Sequence, residues 1–185
     1  MKLDPKKVVA LVVDLQEKIA PATSAPEKLI ERTRFLLAGL RVHNAPVVFT
    51  RQYPKGLGDV LPEIRELAPD ATYFDKTAFS CLGDDAIRDF FARDERRDVL
   101  LFGIEAHICV AQTAIDLLEL GKRVALVADC VDSRNEFDKV VALERMFRLG
   151  VEPTTAESVL FELTRDARAS EFKAISNLAT GKTKP

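Results

Sequence analysis

Hydrophobic positions along this chain fall into short, dense runs separated by longer stretches in which they recur every three or four residues. The first run, Val8 to Val13 (VVALVV), is continuous and rich in β-branched residues, and Asp14 ends it abruptly. Such a run predicts a central strand buried on both faces. Ala45 to Tyr53, Val99 to Ile104 and Arg123 to Ala128 predict further strands, and Val151 to Thr155 a short last one whose Pro153 suits an edge position. Helical spacing occupies the intervals. Ser24 and Glu27 at capping-box spacing, with Pro26 at an early helical position, open a helix over Lys28 to Asn44. A loop carrying Pro54, Gly56, Gly58 and Pro62 leads to a helix over Asp84 to Arg93, where Ile87, Phe90 and Phe91 share a face. Val110 to Leu120 follows, with Val110, Ala114, Leu117 and Leu118 on one stripe. Ser133 and Glu136 predict the cap of the next helix, with Val140, Leu143 and Phe147 on its apolar side, and Thr154 with Glu157 caps the one carrying Val159, Leu160 and Leu163. Residues 170–185 read as a short helix and a polar end. Five strand–helix units in succession imply an α/β fold: a three-layer α/β/α sandwich with a mostly parallel central sheet.

Composition narrows the class. A chain of 185 residues with 47% hydrophobic and 30% charged residues suits one globular domain, its core spanning about 8–163 and its C-terminal helix and tail 170–185. Lys+Arg is 27 and Asp+Glu 29, a net charge of −2, mixed along the chain, so no electrostatic footprint for nucleic acid is present. No apolar run approaches the ~20 residues of a membrane span, and MKLDPKK lacks the apolar region of a secretory leader, so a cytoplasmic location is expected. Cys81, Cys109 and Cys130 are an odd number without a CxxC pair, which predicts free thiols; His43 and His107 are too few for a histidine-rich metal cluster.

In an open parallel sheet, ligands sit beyond the carboxyl ends of the strands, where the strand order reverses. That rim collects Asp14, Thr50 to Gln52, Glu105 to Cys109, Asp129 and Thr155. Cys109 lies between a strand and a helix, so its sulfur is expected at a helix N-terminus, where the dipole favours a thiolate. Asp14 is the nearest rim carboxylate to exchange a proton with it, and Lys76 in YFDKTAFS is the candidate cation that offsets their like charges. Gln16, Gln52 and Tyr53 are pocket candidates on rim position, and Phe79 reads equally as a residue that closes the pocket or as a core phenylalanine. Cys81 and Cys130 read as packing residues, His107 as a structural hydrogen bonder and Arg134 as a brace for the rim.

Three separated motifs, VVDLQ around Asp14, FDKTAFS around Lys76 and LLFGIEAHICVAQTAIDLLELGKRVALVADCVDSR around Cys109, together resemble the isochorismatase-like cysteine hydrolases, over about Val8 to Leu163. The resemblance implies a catalytic triad of Asp14, Lys76 and Cys109 on a three-layer α/β/α fold. It also implies a cis peptide at Ile104–Glu105 that aims the Glu105 and Cys109 N–H groups at one point as an oxyanion hole. Isochorismatases proper lack a cysteine at this place, so Cys109 favours cleavage of a C–N bond in a small amide through a thioester. RQYPKGLGD carries no histidine for the metal cluster of the nicotinamidase branch, so neither metal nor other cofactor is expected. A homo-oligomer, dimer or larger, is the implied assembly. Two readings compete: a thiol redox or electrophile-reactive protein, and a catalytically silent oligomeric interaction module.

Overall fold

A computed structural model describes residues 2–185. Six strands, β1 (Val8–Val13), β2 (Val47–Gln52), β3 (Thr72–Lys76), β4 (Asp98–Ile104), β5 (Arg123–Asp132) and β6 (Glu152–Thr154), form one parallel sheet in the order β3-β2-β1-β4-β5-β6. The chain walks outward from β1 to β3, then returns to β4 and walks the other way. The reversal therefore lies between β1 and β4, and the loops leaving their carboxyl ends diverge to open a crevice. Every residue of β1 and β4 is buried, as continuous apolar runs require of strands covered on both faces.

Right-handed crossovers travelling in opposite directions put their helices on opposite faces. On one face α1 (Pro26–Val42) packs with α7 (Ala156–Thr164) and α8 (Phe172–Ala179); on the other α5 (Ala111–Glu119) packs with α6 (Glu136–Arg148). Two single-turn helices, α2 (Pro54–Leu57) and α3 (Pro62–Arg65), cross the rim before β3, and α4 (Asp85–Arg93) leads into β4. Together these make the expected three-layer α/β/α sandwich, with one strand more than its sequence pattern announces.

That extra strand is β3. Its TYFDK segment is an edge strand whose burial varies from exposed Thr72 to buried Lys76, so its polar ends mask the apolar signal. Pairing with β2 shows what holds it: Tyr73 stacks on Phe49 with centroids 5.2 Å apart, and Gln52 stands in register with Lys76. β5 is also longer than predicted. Its ladder with β4 jumps from Leu101↔Leu126 to Gly103↔Val131, an irregularity that carries the strand past Asp129 to Asp132. Opposite the jump, Gly103 has φ +117°, and a Cβ there would lie 2.1 Å from the Val13 carbonyl oxygen, so β4 passes β1 at this point only because residue 103 has no side chain.

None of the three predicted capping boxes forms. Ala25 is the N-cap of α1; its N–H and the Ser24 hydroxyl both donate to the Asp132 carboxylate, each at 2.8 Å, from the end of β5. Asn135 caps α6 by accepting from the Phe137 N–H, and Ser133 bonds His107 instead. Thr155 caps α7, and Asp129 accepts from the Ala156 N–H at 2.8 Å. At α1 a strand-end carboxylate takes the place of the local hydroxyl, and at α7 one adds to it, because a charged acceptor suits the positive end of a helix. The apolar face of α6 is also rotated from the prediction: Ala142 and Met146 are buried, Leu143 and Phe147 half-buried, and Val140 exposed.

Burial alone would push the Asp132 carboxyl up, but the bonds from Ala25, Ser24 and the Ser133 backbone, with the charge of Lys139, hold it below the ordinary 3.8. Asp132→Ala is expected to destabilise the fold by about 2 kcal/mol in urea denaturation at neutral pH. Because the folded value is depressed, this difference is fully present above 3.8 and shrinks as pH falls through the folded value.

Candidate active site

Four strand ends meet at the crevice. Asp14 is the first residue beyond β1 and adopts φ 52°, a left-handed conformation that aspartate and asparagine tolerate better than most side chains. Lys76, the last residue of β3, and Asp14 form an ion pair of 2.7 Å with side chains 0% and 1% exposed. The remaining neighbours of the ammonium are all acceptors: Gln52 Oε1 at 3.1 Å and the carbonyls of Ala78 and Phe79 at 3.2 Å each. The other carboxylate oxygen, Asp14 Oδ1, accepts from the Thr50 hydroxyl at 2.8 Å. Burial would lower the lysine, but the charge of Asp14 and its hydrogen bond hold it above the ordinary value.

Cys109 sits in a π-helical turn, Ala106–Val110, that feeds α5. It follows a cis peptide at Ile104–Glu105, at the position the motif implies. The Glu105 carbonyl accepts from the N–H groups of Ile108 and Val110, both at 3.1 Å, and skips Cys109 between them. The cysteine is 8% exposed. Against the thiolate that a helix N-terminus favours, burial first and then the charge of Asp14 push the Cys109 thiol up to about 12, and Lys76 offsets only part. Burial and a nearby buried carboxylate thus act against the helix dipole and favour the thiol form of Cys109.

The remaining candidates divide. Gln52 touches the ammonium and donates to the Thr77 carbonyl. Gln16, expected in the pocket, is fully buried and its amide is consumed by backbone: Nε2 donates to the Gln52 and Gly58 carbonyls and Oε1 accepts from the Gln52 N–H. It fastens the β2 exit to the loop after β1. Tyr53 and Phe79 stand at the rim, 56% and 57% exposed. Glu105 Oε1 accepts from both the N–H and Nε of Arg134, so Arg134 does brace the rim, and His107 Nδ1 lies 2.9 Å from the Ser133 hydroxyl.

Two residues of the cluster carry no signal of their own in the sequence. Thr50 figures there only as part of a strand end; the parallel register of Val12 with Phe49 is what places its hydroxyl beside Asp14. Cys81, expected as a packing residue, lies with its sulfur 3.7 Å from that hydroxyl, at the back of the site, and burial pushes its thiol up to about 11. Cys130 lies elsewhere, beside Asp129. Among the described residues no three His, Cys, Asp or Glu side chains are grouped to hold a metal ion, and no helix is long and apolar enough to cross a membrane.

A six-stranded parallel sheet of this order, with a cysteine, an aspartate and a lysine on its carboxyl-end rim, is the isochorismatase-like hydrolase fold. The chain belongs to the isochorismatase family, whose domain it matches over residues 8–158. It is 39% identical over 176 residues to isochorismatase domain-containing protein 1 of Salmo salar; that match covers 95% of this chain and 62% of the relative, so the chain spans about three fifths of the relative's length. Among solved structures, the MAR1 ribonuclease of Caenorhabditis elegans superposes with a TM-score of 0.91 at 35% identity, covering 97% of this chain and 93% of that one. The YcaC product of Escherichia coli, described as an octameric hydrolase of unknown specificity, shares the fold at a TM-score of 0.88 and 23% identity over 98% of this chain and 96% of its own.

The thiol environment yields a test that needs no substrate. Iodoacetamide labelling of Cys109, followed by peptide mass spectrometry, is expected to be slow at neutral pH and to keep rising well above the pH where an ordinary thiol levels off. Asp14→Asn removes the largest charge opposing the thiolate and leaves Lys76 to favour it, so labelling near neutral pH should rise roughly tenfold or more.

Proposed function

We propose that this protein is a hydrolase that cleaves the C–N bond of a small amide-type substrate through a thioester on Cys109. The observation that carries this reading is the buried Asp14–Lys76 pair facing the Cys109 thiol. In the first half-reaction Asp14 accepts the thiol proton as the sulfur bonds to the carbonyl carbon. The tetrahedral oxyanion is held by the N–H groups of Glu105 and Cys109. Collapse breaks the C–N bond while Asp14 returns the proton to the nitrogen, and the amine or ammonia leaves. In the second, Asp14 takes a proton from water as its oxygen attacks the thioester; the C–S bond breaks, the proton returns to sulfur and a carboxylic acid departs. Lys76 keeps one positive charge beside Asp14 throughout, so neither protonation state is left uncompensated.

A protonated thiol at rest supports this order of events, because proton transfer to Asp14 and attack on carbon are then coupled and no free thiolate is exposed to oxidants. The same feature weighs against the redox reading, which needs an exposed, low-pKa sulfur. A homo-oligomer is part of this proposal. So is Thr50 as a positioning residue: its hydroxyl occupies one carboxylate oxygen and turns the other toward Lys76 and the thiol.

A panel of small amides scored by ammonia release, with an RNA substrate run in parallel, tests the reading. Amide turnover lost in Cys109→Ala and Asp14→Asn, with intact RNA, is the expected result; RNA cleavage, or amide turnover that survives Cys109→Ala, overturns it. Thr50→Val should lower kcat roughly tenfold with little change in KM, and Thr50→Ser should restore it.

A further inference from the structure

Helix α6 turns apolar side chains toward solvent. Phe137 is 73% exposed, Val140 53%, Val141 49% and Leu149, just past the helix, 51%. They are four of the seven exposed large hydrophobic side chains among the described residues, so they form a patch and not a scatter. Buried Ala142 and Met146 mark the inward side of the helix. Phe137, Val141, Glu144 and Arg148 recur at i, i+4, i+7 and i+11 and mark the outward one.

The patch has a projection and a recess. Phe137 protrudes from the first turn, and toward the other end lies a groove of about 320 Å³ lined by Val141, Glu144, Arg145, Arg148 and Leu149. The charges are graded the same way, with Glu136 and Asp138 in the first turn and Arg145 and Arg148 in the last. The ion pairs made by α6 side chains within the chain are Lys139–Asp132 and Arg148–Glu144. Among the described residues Asp138 and Arg145 are left unpaired.

We propose that α6 is a self-docking face, on which two copies of this chain pair through antiparallel α6 helices about a two-fold axis beside Val141. A two-fold interface must be complementary to itself, because each copy presents the same surface. An axis midway between residues 141 and 142 sets position 138 of one copy opposite 145 of the other, and position 137 opposite 146, the middle of the groove. Phe137 of each copy then fills the recess of the other, and Val141 packs near its own equivalent at the centre. Asp138 and Arg145 are seven residues apart, about two turns, so they share one flank of the helix, and the rotation keeps that flank on the same side. Each aspartate therefore meets the partner's arginine, twice per interface. The acidic and basic ends of the two helices are matched in the same stroke, dipole included. This docking gives the homo-oligomer proposed above its interface and rests on no step of the hydrolase chemistry.

Sedimentation velocity over a dilution series reads the outcome directly. Wild type is expected at an even multiple of the chain mass with a urea midpoint that rises with protein concentration, and Phe137→Glu at half that mass or less, still folded by circular dichroism and with a midpoint that no longer depends on concentration. Asp138→Arg and Arg145→Asp should each weaken association roughly tenfold, and the double charge exchange should recover most of that loss. A wild type that stays monomeric at every concentration, including one that binds only a different protein through this face, overturns the proposal. So does an assembly whose mass ignores Phe137→Glu, or a double exchange no tighter than either single variant.

Discussion

The buried ion pair between Lys76 and Asp14 is the constraint around which the rest is arranged. Taking an ammonium and a carboxylate fully out of water costs several kcal/mol per ion, and their mutual attraction offsets that only when the remaining hydrogen-bonding capacity is met. Every element near the crevice contributes to meeting it. β2 supplies Thr50 to the carboxylate and Gln52 to the ammonium, and the turn after β3 bends so that two successive carbonyls point at the same nitrogen. β3 itself, a short and partly exposed edge strand, delivers the lysine. Gln16 sits one layer further out, its whole amide engaged in keeping the β2 exit in place.

The pair also bears on the state of the nucleophile. Burial is the first cause that favours the protonated form of Cys109 and the charge of Asp14 the second, while Lys76 acts in the opposite sense. The second thiol behind the site, Cys81, is silenced more simply, by complete burial.

Strands whose apolar runs are continuous, β1 and β4 above all, are legible in the sequence because burial on both faces leaves no room for polar residues. So is the layer order, since alternating strand and helix patterns admit few topologies. β3 is not, because an edge strand ending in Asp75 and Lys76 looks like a loop when each residue is weighed alone. The caps mislead for a related reason: Ser24 and Thr154 satisfy a local motif, but Asp132 and Asp129 arrive from a distant strand as charged acceptors, and Ser133 is drawn to His107 while Asn135 caps α6. At the site, the strand-end rule points to Asp14 and to the strand-to-helix turn of Cys109, and Lys76 enters through its motif as the needed cation, whereas the roles of Thr50 and Cys81 depend on register and on which way a side chain turns. The direction of the Cys109 shift depends on burial, a quantity with no local signature.

Asp129 and Asp132 have a consequence beyond capping. They grow from the end of one strand and fasten the first turns of two helices, α1 and α7, on one face of the sheet. Ser133 and Arg134, the next two residues, hold His107 and Glu105 in the segment that leads to the nucleophile. Fraying of either helix end and loosening of the nucleophile's approach are thus parts of one opening event, so local unfolding at this rim is cooperative across the sheet. The crevice edge is thus tied, bond by bond, to the helical layer behind it.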